Sequence, residues 1–278
     1  MPFALSNGIN LYTEATGTGE PIIFIHEFAG DHRDWELQVR RLSRSHRCIT
    51  FNARGYPPSD VPEDVEQYSQ QIAVEDIAAV LRHHGVERAH VVGLSMGGYA
   101  ALNFGISHPE MLLSIAICGA GHGSDPARRP QFLDDSKAMV TKMLSDGMEA
   151  VGKTYLSGPT RRRFAEKDAR GAAEFADRFA SHSALGAALT TRGCQLRRKT
   201  IYDLAAGMAD IKVPVLIVAG DDDDPCLDPA LFMKRNIPDA RLAIFPRTTH
   251  SVNLEEPELF NRVLLDFLAS VDSNGEAR

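Results

Sequence analysis

In the string HVVGLSMGGYAALNFG, residues 90–105, one serine stands between glycines where an apolar run gives way to a helix-like segment. Serine ahead of a helix is a common N-cap, because its hydroxyl accepts a hydrogen bond from a free first-turn amide. That role makes no demand for glycine on both sides of Ser95. A sharp strand-to-helix turn does: it holds the serine in a strained conformation, brings two backbones together, and needs tiny residues two before and two after, as Gly93 and Gly97 are. The spacing alone arises by chance in roughly a tenth of chains this long. Here AHVVGL and MGGYAALNFG supply the strand and the helix, so Ser95 is read as a nucleophile.

A serine hydroxyl attacks well only when a base takes its proton, and the base works best when a carboxylate orients it. The apolar PVLIVAG is followed by four aspartates, 221–224. Four clustered charges cannot all be buried, so most belong to a solvated loop and one is available to orient a histidine. Further on, RLAIFPRTTHSVNLEEP puts His250 just past another apolar run and before the last helix. His83 and His84 end a surface helix, and His46 and His108 lie beside turns; His250 alone has a suitable address. The chain order Ser, Asp, His is one of the three common triad orders.

Other chemistries find less support. The ten histidines form no HExxH pattern, and Cys48, Cys118, Cys194 and Cys226 form no CxxC pair, so reduced thiols are expected, with no metal and no cofactor. A net charge of −7 disfavours nucleic-acid binding. No run of about 20 apolar residues appears, and MPFALSNGINLYTEATG lacks the form of a signal peptide, so neither a membrane nor export is expected. The reading is a cytoplasmic protein with a small-molecule substrate as partner and a homodimer left open.

The elements that must hold these residues are legible as an alternation of apolar runs and amphipathic stretches, the pattern of strands and crossover helices. PIIFIH, RCITFN, AHVVGL, LLSIAICG, PVLIVAG and RLAIFP read as strands of a mostly parallel sheet covered on both faces. FALS and INLYTEA read as an antiparallel edge hairpin turned at Asn7-Gly8. A helix is expected from a Ser69 cap to Gly85, with Val74, Ile77 and Leu81 on its buried stripe, and another from Pro257 through Phe260, Leu264 and Leu268. The polar tail SNGEAR is expected to be disordered. Between about Gly121 and Lys212 the alternation stops, and the stretch reads as several helices. The expected organisation is therefore an α/β core of residues 1–120 and 213–278 with a helical cap, 121–212, inserted between two core strands, over the strand ends where such sheets bind ligands.

With these residues assembled, the chain resembles the α/β-hydrolase superfamily, in its lidded esterase, lactonase and C–C hydrolase branch. The resemblance runs from about Pro2 to Val271 and rests on FIHEFAG, FNARGYPPSD, GLSMGG, GDDDDP and TTHSVNLEEPELF. It implies Ser95 as nucleophile, His250 as base and Asp223, three after the strand-end glycine, as the orienting acid. It also implies an oxyanion hole made by the backbone amides of Met96 and Phe28. The implied reaction is hydrolysis of an ester or lactone, with amides and carbamates open, through an acyl-enzyme and without a cofactor. C–C bond hydrolysis of a ring-cleavage product is the alternative, although those enzymes commonly carry a tryptophan soon after the histidine and Trp35 is the only one here. A small-molecule receptor with a retained triad is a second alternative.

Two departures from the family pattern stand out. RGYPPS replaces a commonly glycine-rich turn, with Arg54 and Asp60 placed to tie it down. Glu27 replaces the glycine expected before the oxyanion residue. A carboxylate there either turns away from the site or faces it, and if it faces the site it must be protonated or paired with a cation. Glu27 is therefore a candidate substrate-binding residue. The basic strings RRRF (161–164) and RGCQLRRK (192–199) read mainly as solvated faces, with the alternative that one arginine turns inward to grip a substrate carboxylate.

Overall fold

The computed structural model describes residues 1–275. Among these, eight strands form one sheet: β1 (Phe3–Ser6), β2 (Ile9–Thr16), β3 (Pro21–Ile25), β4 (Arg47–Phe51), β5 (Ala89–Leu94), β6 (Leu112–Cys118), β7 (Val215–Gly220) and β8 (Ala240–Phe245). Their order is β1-β2-β4-β3-β5-β6-β7-β8. The pairs β1/β2 and β2/β4 are antiparallel and the rest are parallel. The hairpin turns at Asn7 and Gly8, both at positive φ (48° and 81°), which is the turn whose twist matches the flanking strands.

Apart from His90 and Ser114, which bond to each other (2.8 Å), strands β3, β5, β6 and β7 are apolar along their length because successive side chains enter two different cores. Ile23, Ile25, Val91, Ile115 and Ile217 pack on one face with Val74, Ile77 and Leu81 of helix Gln70–His83. Ile22, Phe24, Val92, Ala116 and Val218 pack on the other with Trp35, Phe260, Leu264 and Leu268. Ser69 caps its helix by accepting from the Ile72 amide (3.1 Å), and Gly85 follows the helix at φ +67°. The last helix runs Pro257–Gly275, so Ser273–Gly275 continue it, where the sequence suggests a disordered tail; the remainder of that tail, 276–278, lies outside the described residues. His46 differs from its expected surface position. It is buried, its Nδ1 beside the Ser45 hydroxyl (2.9 Å) and its ring 6.3 Å from that of His90.

Between β6 and β7 the chain forms a helical cap with no strand among the described residues: Arg129–Tyr155, interrupted at Gly147, then Arg162–Lys167, Ala169–Ala180, Ala184–Thr190 and Ala205–Ala209. Apolar side chains seat it on the core, with Val140, Met143, Phe164, Phe175 and Phe179 meeting Phe28, Tyr56 and Leu254. At one point the two backbones almost touch, since a Cβ on Gly186 would lie 1.9 Å from the Gly55 carbonyl oxygen. The RGYPPS turn on the core side is braced as its charges suggest. Arg54 donates to both Asp76 oxygens (2.7 and 2.6 Å), and Asp60 accepts from the Asn10 amide (2.7 Å). Among the described residues no helix is long and apolar enough to cross a membrane.

Candidate active site

Ser95 sits between β5 and helix Met96–Ser107 at φ 56°, ψ −110°, a conformation that L-residues rarely adopt, and its side chain makes no capping hydrogen bond. The glycines around it are required by space. A Cβ on Gly93 would lie 2.1 Å from the Gly97 carbonyl oxygen, and one on Gly97 would lie 2.2 Å from that of Ile25. Both obstacles are backbone, which cannot swing aside. Gly93→Ala should therefore cost about 3 kcal/mol of stability or distort the elbow; urea unfolding checks this, and an unchanged midpoint with unchanged activity would show that the turn has room to spare.

The serine hydroxyl lies 2.7 Å from His250 Nε2, and His250 Nδ1 lies 2.8 Å from Asp223 Oδ2. An ionised carboxylate can only accept, so Nδ1 carries the proton and Nε2 is left to accept from the serine. Burial works against a charged imidazole, but the Asp223 carboxylate and its hydrogen bond outweigh it and raise the pKa of His250. The same pairing keeps Asp223 below the usual carboxylate range in spite of its burial. The other three aspartates of the run go elsewhere. Asp221 accepts from the Thr248 amide (3.2 Å), Asp222 pairs with Arg163 of the cap (2.8 Å), and Asp224 opens the exposed first turn of helix Asp224–Asn236. Asp223, Cys226 and His250 hold ligand atoms within 4.8 Å of one another, a spacing compatible with a cation. Their chemistry fits hydrogen bonding better: burial beside Asp223 raises the Cys226 thiol well above its usual pKa, and its Sγ lies 3.3 Å from the Gly119 carbonyl oxygen.

The two backbone amides expected to form an oxyanion hole, those of Met96 and Phe28, are held by different devices. Met96 is the first residue of its helix, so its amide has no partner within that helix and carries the positive end of the helix dipole. The Phe28 amide is oriented through its own peptide plane. The Glu27 carbonyl oxygen on the other side of that plane accepts from the Gly30 amide (3.2 Å) and from His26 Nδ1 (2.6 Å). His26 Nε2 in turn accepts from the Ala53 amide (3.0 Å), which fixes a neutral tautomer; burial pushes this histidine down to about 4, in keeping with that role. On the next peptide, the Tyr56 hydroxyl donates to the Phe28 carbonyl (2.9 Å).

Glu27 is 1% exposed and is paired with a cation. Its two oxygens take both terminal nitrogens of Arg161, Nη1 to Oε1 at 2.6 Å and Nη2 to Oε2, and Oε1 also lies 3.3 Å from the Ser251 hydroxyl. Burial would raise the Glu27 carboxyl, but Arg161 overrides it and holds the group below its ordinary value. The inward-turned cap arginine of RRRF thus meets a carboxylate of the protein itself. Arg198, from the second basic string, lies over the Tyr99 ring, 3.7 Å from its centroid, and donates to the His122 carbonyl (3.0 Å). Arg161 and Ser251 were not singled out by the sequence, although a charged residue in a glycine position was a signal that a cation had to come from somewhere. Beside the acid, a groove of ≈ 530 Å³ is lined by His122, Phe132, Tyr202 and Asp224 among others.

Comparison with known proteins places this geometry in context. The model of the α/β hydrolase fold matches residues 20–257. A putative 2-succinyl-6-hydroxy-2,4-cyclohexadiene-1-carboxylate synthase of Bacillus subtilis is 26% identical over 263 residues, 93% of each chain. A putative carbamate hydrolase of Azorhizobium caulinodans is 29% identical over 278 residues, covering 98% of this chain and 100% of its own. Among solved structures, an enol-lactonase from Burkholderia xenovorans superposes with a TM-score of 0.84 at 23% identity, over 96% of this chain and all of its own, a likeness of fold.

Proposed function

The chain belongs to the α/β-hydrolase fold family, and on that premise we propose that it is a serine hydrolase acting on an ester or lactone of a small organic molecule, with carbamates and amides within reach. The observation that carries this reading is the continuous line from Ser95 Oγ through His250 to Asp223, at 2.7 and 2.8 Å. His250 takes the serine proton at Nε2 as Oγ attacks the acyl carbon. Asp223 holds the ring and stabilises the imidazolium that forms. The Met96 and Phe28 amides receive the charge that develops on the acyl oxygen, where fixed donors in a site sheltered from water act most strongly. His250 then protonates the leaving group and, as base, brings in the water that frees the acyl group.

The named activities of the relatives differ, so membership of the family does not by itself fix the substrate. The test is a panel of p-nitrophenyl esters, lactones, aryl carbamates and a vinylogous C–C substrate, run beside a fluorophosphonate probe. Turnover of esters or lactones with probe-sensitive kinetics is expected. Ligand-induced thermal shifts without turnover of any member would point to a receptor, and turnover of the C–C substrate alone to the alternative bond class.

The raised pKa of His250 sets the pH dependence. Only the neutral imidazole can accept the serine proton, so activity is lost as pH falls through the His250 pKa. The acid limb of kcat/KM should thus have its midpoint above the ordinary histidine value of about 6.5. Asp223→Asn removes the charge that raises it and should move that midpoint downwards. A midpoint in the wild type below that of the variant contradicts the assignment.

A further inference from the structure

Arg161 precedes helix Arg162–Lys167 in the cap, and it is 2% exposed. Its guanidinium reaches three groups of the core at once. Two are the oxygens of Glu27, and the third is the Ser251 hydroxyl, which Nη1 also touches. The residue before it, Thr160, accepts from the His250 amide (3.3 Å). Each of these contacts falls one covalent step from a group that the proposed reaction uses. Ser251 follows His250, and the backbone carbonyl of Glu27 belongs to the peptide that carries the Phe28 amide. Tyr155 and Phe175 cover the guanidinium, with their ring centroids 5.7 and 5.3 Å from Cζ. These rings stabilise a cation that water does not reach.

We propose that Arg161 is a positioning residue, through which the seated cap sets the placement of the oxyanion turn and of the histidine loop. This role rests on the serine-hydrolase reading. It follows from burial and geometry that the other cap ties do not share: Arg163 reaches Asp222, the neighbour of Asp223, at the partly exposed rim (2.8 Å), while Arg178 to Asp34 (3.0 Å) and Lys167 to Glu256 (2.5 Å) end on residues that are not next in sequence to a group the reaction uses. Those ties and the apolar contacts hold the cap in place without Arg161. What Arg161 adds is register. Bidentate pairing fixes the Glu27 side chain in angle as well as in distance, so the turn that presents the Phe28 amide cannot drift while the cap is closed.

Because Glu27 neutralises Arg161, this arginine offers no free cation to a substrate carboxylate.

The test uses the full chain and two matched esters, p-nitrophenyl butyrate and p-nitrophenyl hemisuccinate. Arg161→Met should lower kcat by about 100-fold, the size of effect that a misplacement near 1 Å produces, with KM changed little and the same loss on both esters. Arg161→Lys keeps the charge but loses the planar fork, and should recover only part of kcat. In Arg161→Met the Glu27 carboxylate is left buried and unpaired; adding Glu27→Gln should raise kcat at least about tenfold over the single variant, because removing both partners is far less costly than removing one. Should Arg161→Met not fold, the double variant and Arg161→Lys still carry the comparison.

A loss confined to KM for the hemisuccinate would make Arg161 a substrate-binding residue and overturn the proposal, as would an unchanged kcat in Arg161→Met. Wild-type turnover and fluorophosphonate labelling report separately on the hydrolase reading: if both are absent, that reading fails and this role with it, whereas normal wild-type behaviour with indifferent variants sinks the positioning role alone.

Discussion

Ser95→Ala should reduce turnover by about a millionfold and abolish fluorophosphonate labelling, while the protein keeps its fold. The size of the effect follows from the division of labour at the site. In the variant the two amides and the cap still bind substrate, but the acyl carbon meets no nucleophile except stray water, so only the residual catalysis of binding and oxyanion stabilisation remains. Folding should survive because the Ser95 side chain caps nothing and its strained φ of 56° belongs to the tight backbone turn for which the flanking glycines make room. Alanine adopts that conformation no more easily than serine, so the stability change is small. Turnover measured with p-nitrophenyl butyrate, with circular dichroism as the control for folding, decides the matter. Near-normal turnover in a folded variant would remove Ser95 from the chemistry.

Asp223→Asn should cost roughly 10⁴-fold in kcat, the loss seen when an orienting carboxylate becomes an amide. An amide can donate to Nδ1, which favours the tautomer with the proton on Nε2, and that tautomer cannot accept from the serine. It also withdraws the negative charge that stabilises the imidazolium. The neighbours provide the control. Asp224→Asn alters an exposed carboxylate in the first turn of a helix, and Asp221→Asn alters a loop contact to the Thr248 amide, so neither should change kcat by more than a few-fold. A large loss in Asp224→Asn together with a silent Asp223→Asn would transfer the acid's role to the neighbour.

The strands were legible almost to the residue, and for a physical reason. A parallel strand covered on both faces is apolar at nearly every position, and PIIFIH, AHVVGL and PVLIVAG end at or just before the polar or glycine residues where that cover stops. The hairpin at Asn7-Gly8 and the cap at Ser69 were legible because each signal acts within four residues. Glu27 marks the limit of such reading. Its type and its place next to the oxyanion turn announced an unsatisfied charge, but the arginine that satisfies it lies 134 residues away in a cap where basic residues are frequent. Nothing local distinguishes Arg161 from Arg162 and Arg163, which are spent on Asp222 at the rim. The burial of His46 was hidden for the same reason, since its neighbour His90 comes from a strand more than forty residues later. Pairings that close across the fold leave no periodic trace in the chain.

One covalent event is central to the proposed activity, the reaction of Ser95 Oγ with an acyl-type electrophile. Titrating the wild-type protein with a fluorophosphonate, while following residual esterase activity and mapping the adduct by peptide mass spectrometry, tests it directly. The expected result is one adduct per chain, on the peptide that contains Ser95, with activity falling in proportion to the labelled fraction and no labelling of Ser95→Ala. Full esterase activity in stoichiometrically labelled protein, or an adduct on a different residue that tracks the loss of activity, would contradict it.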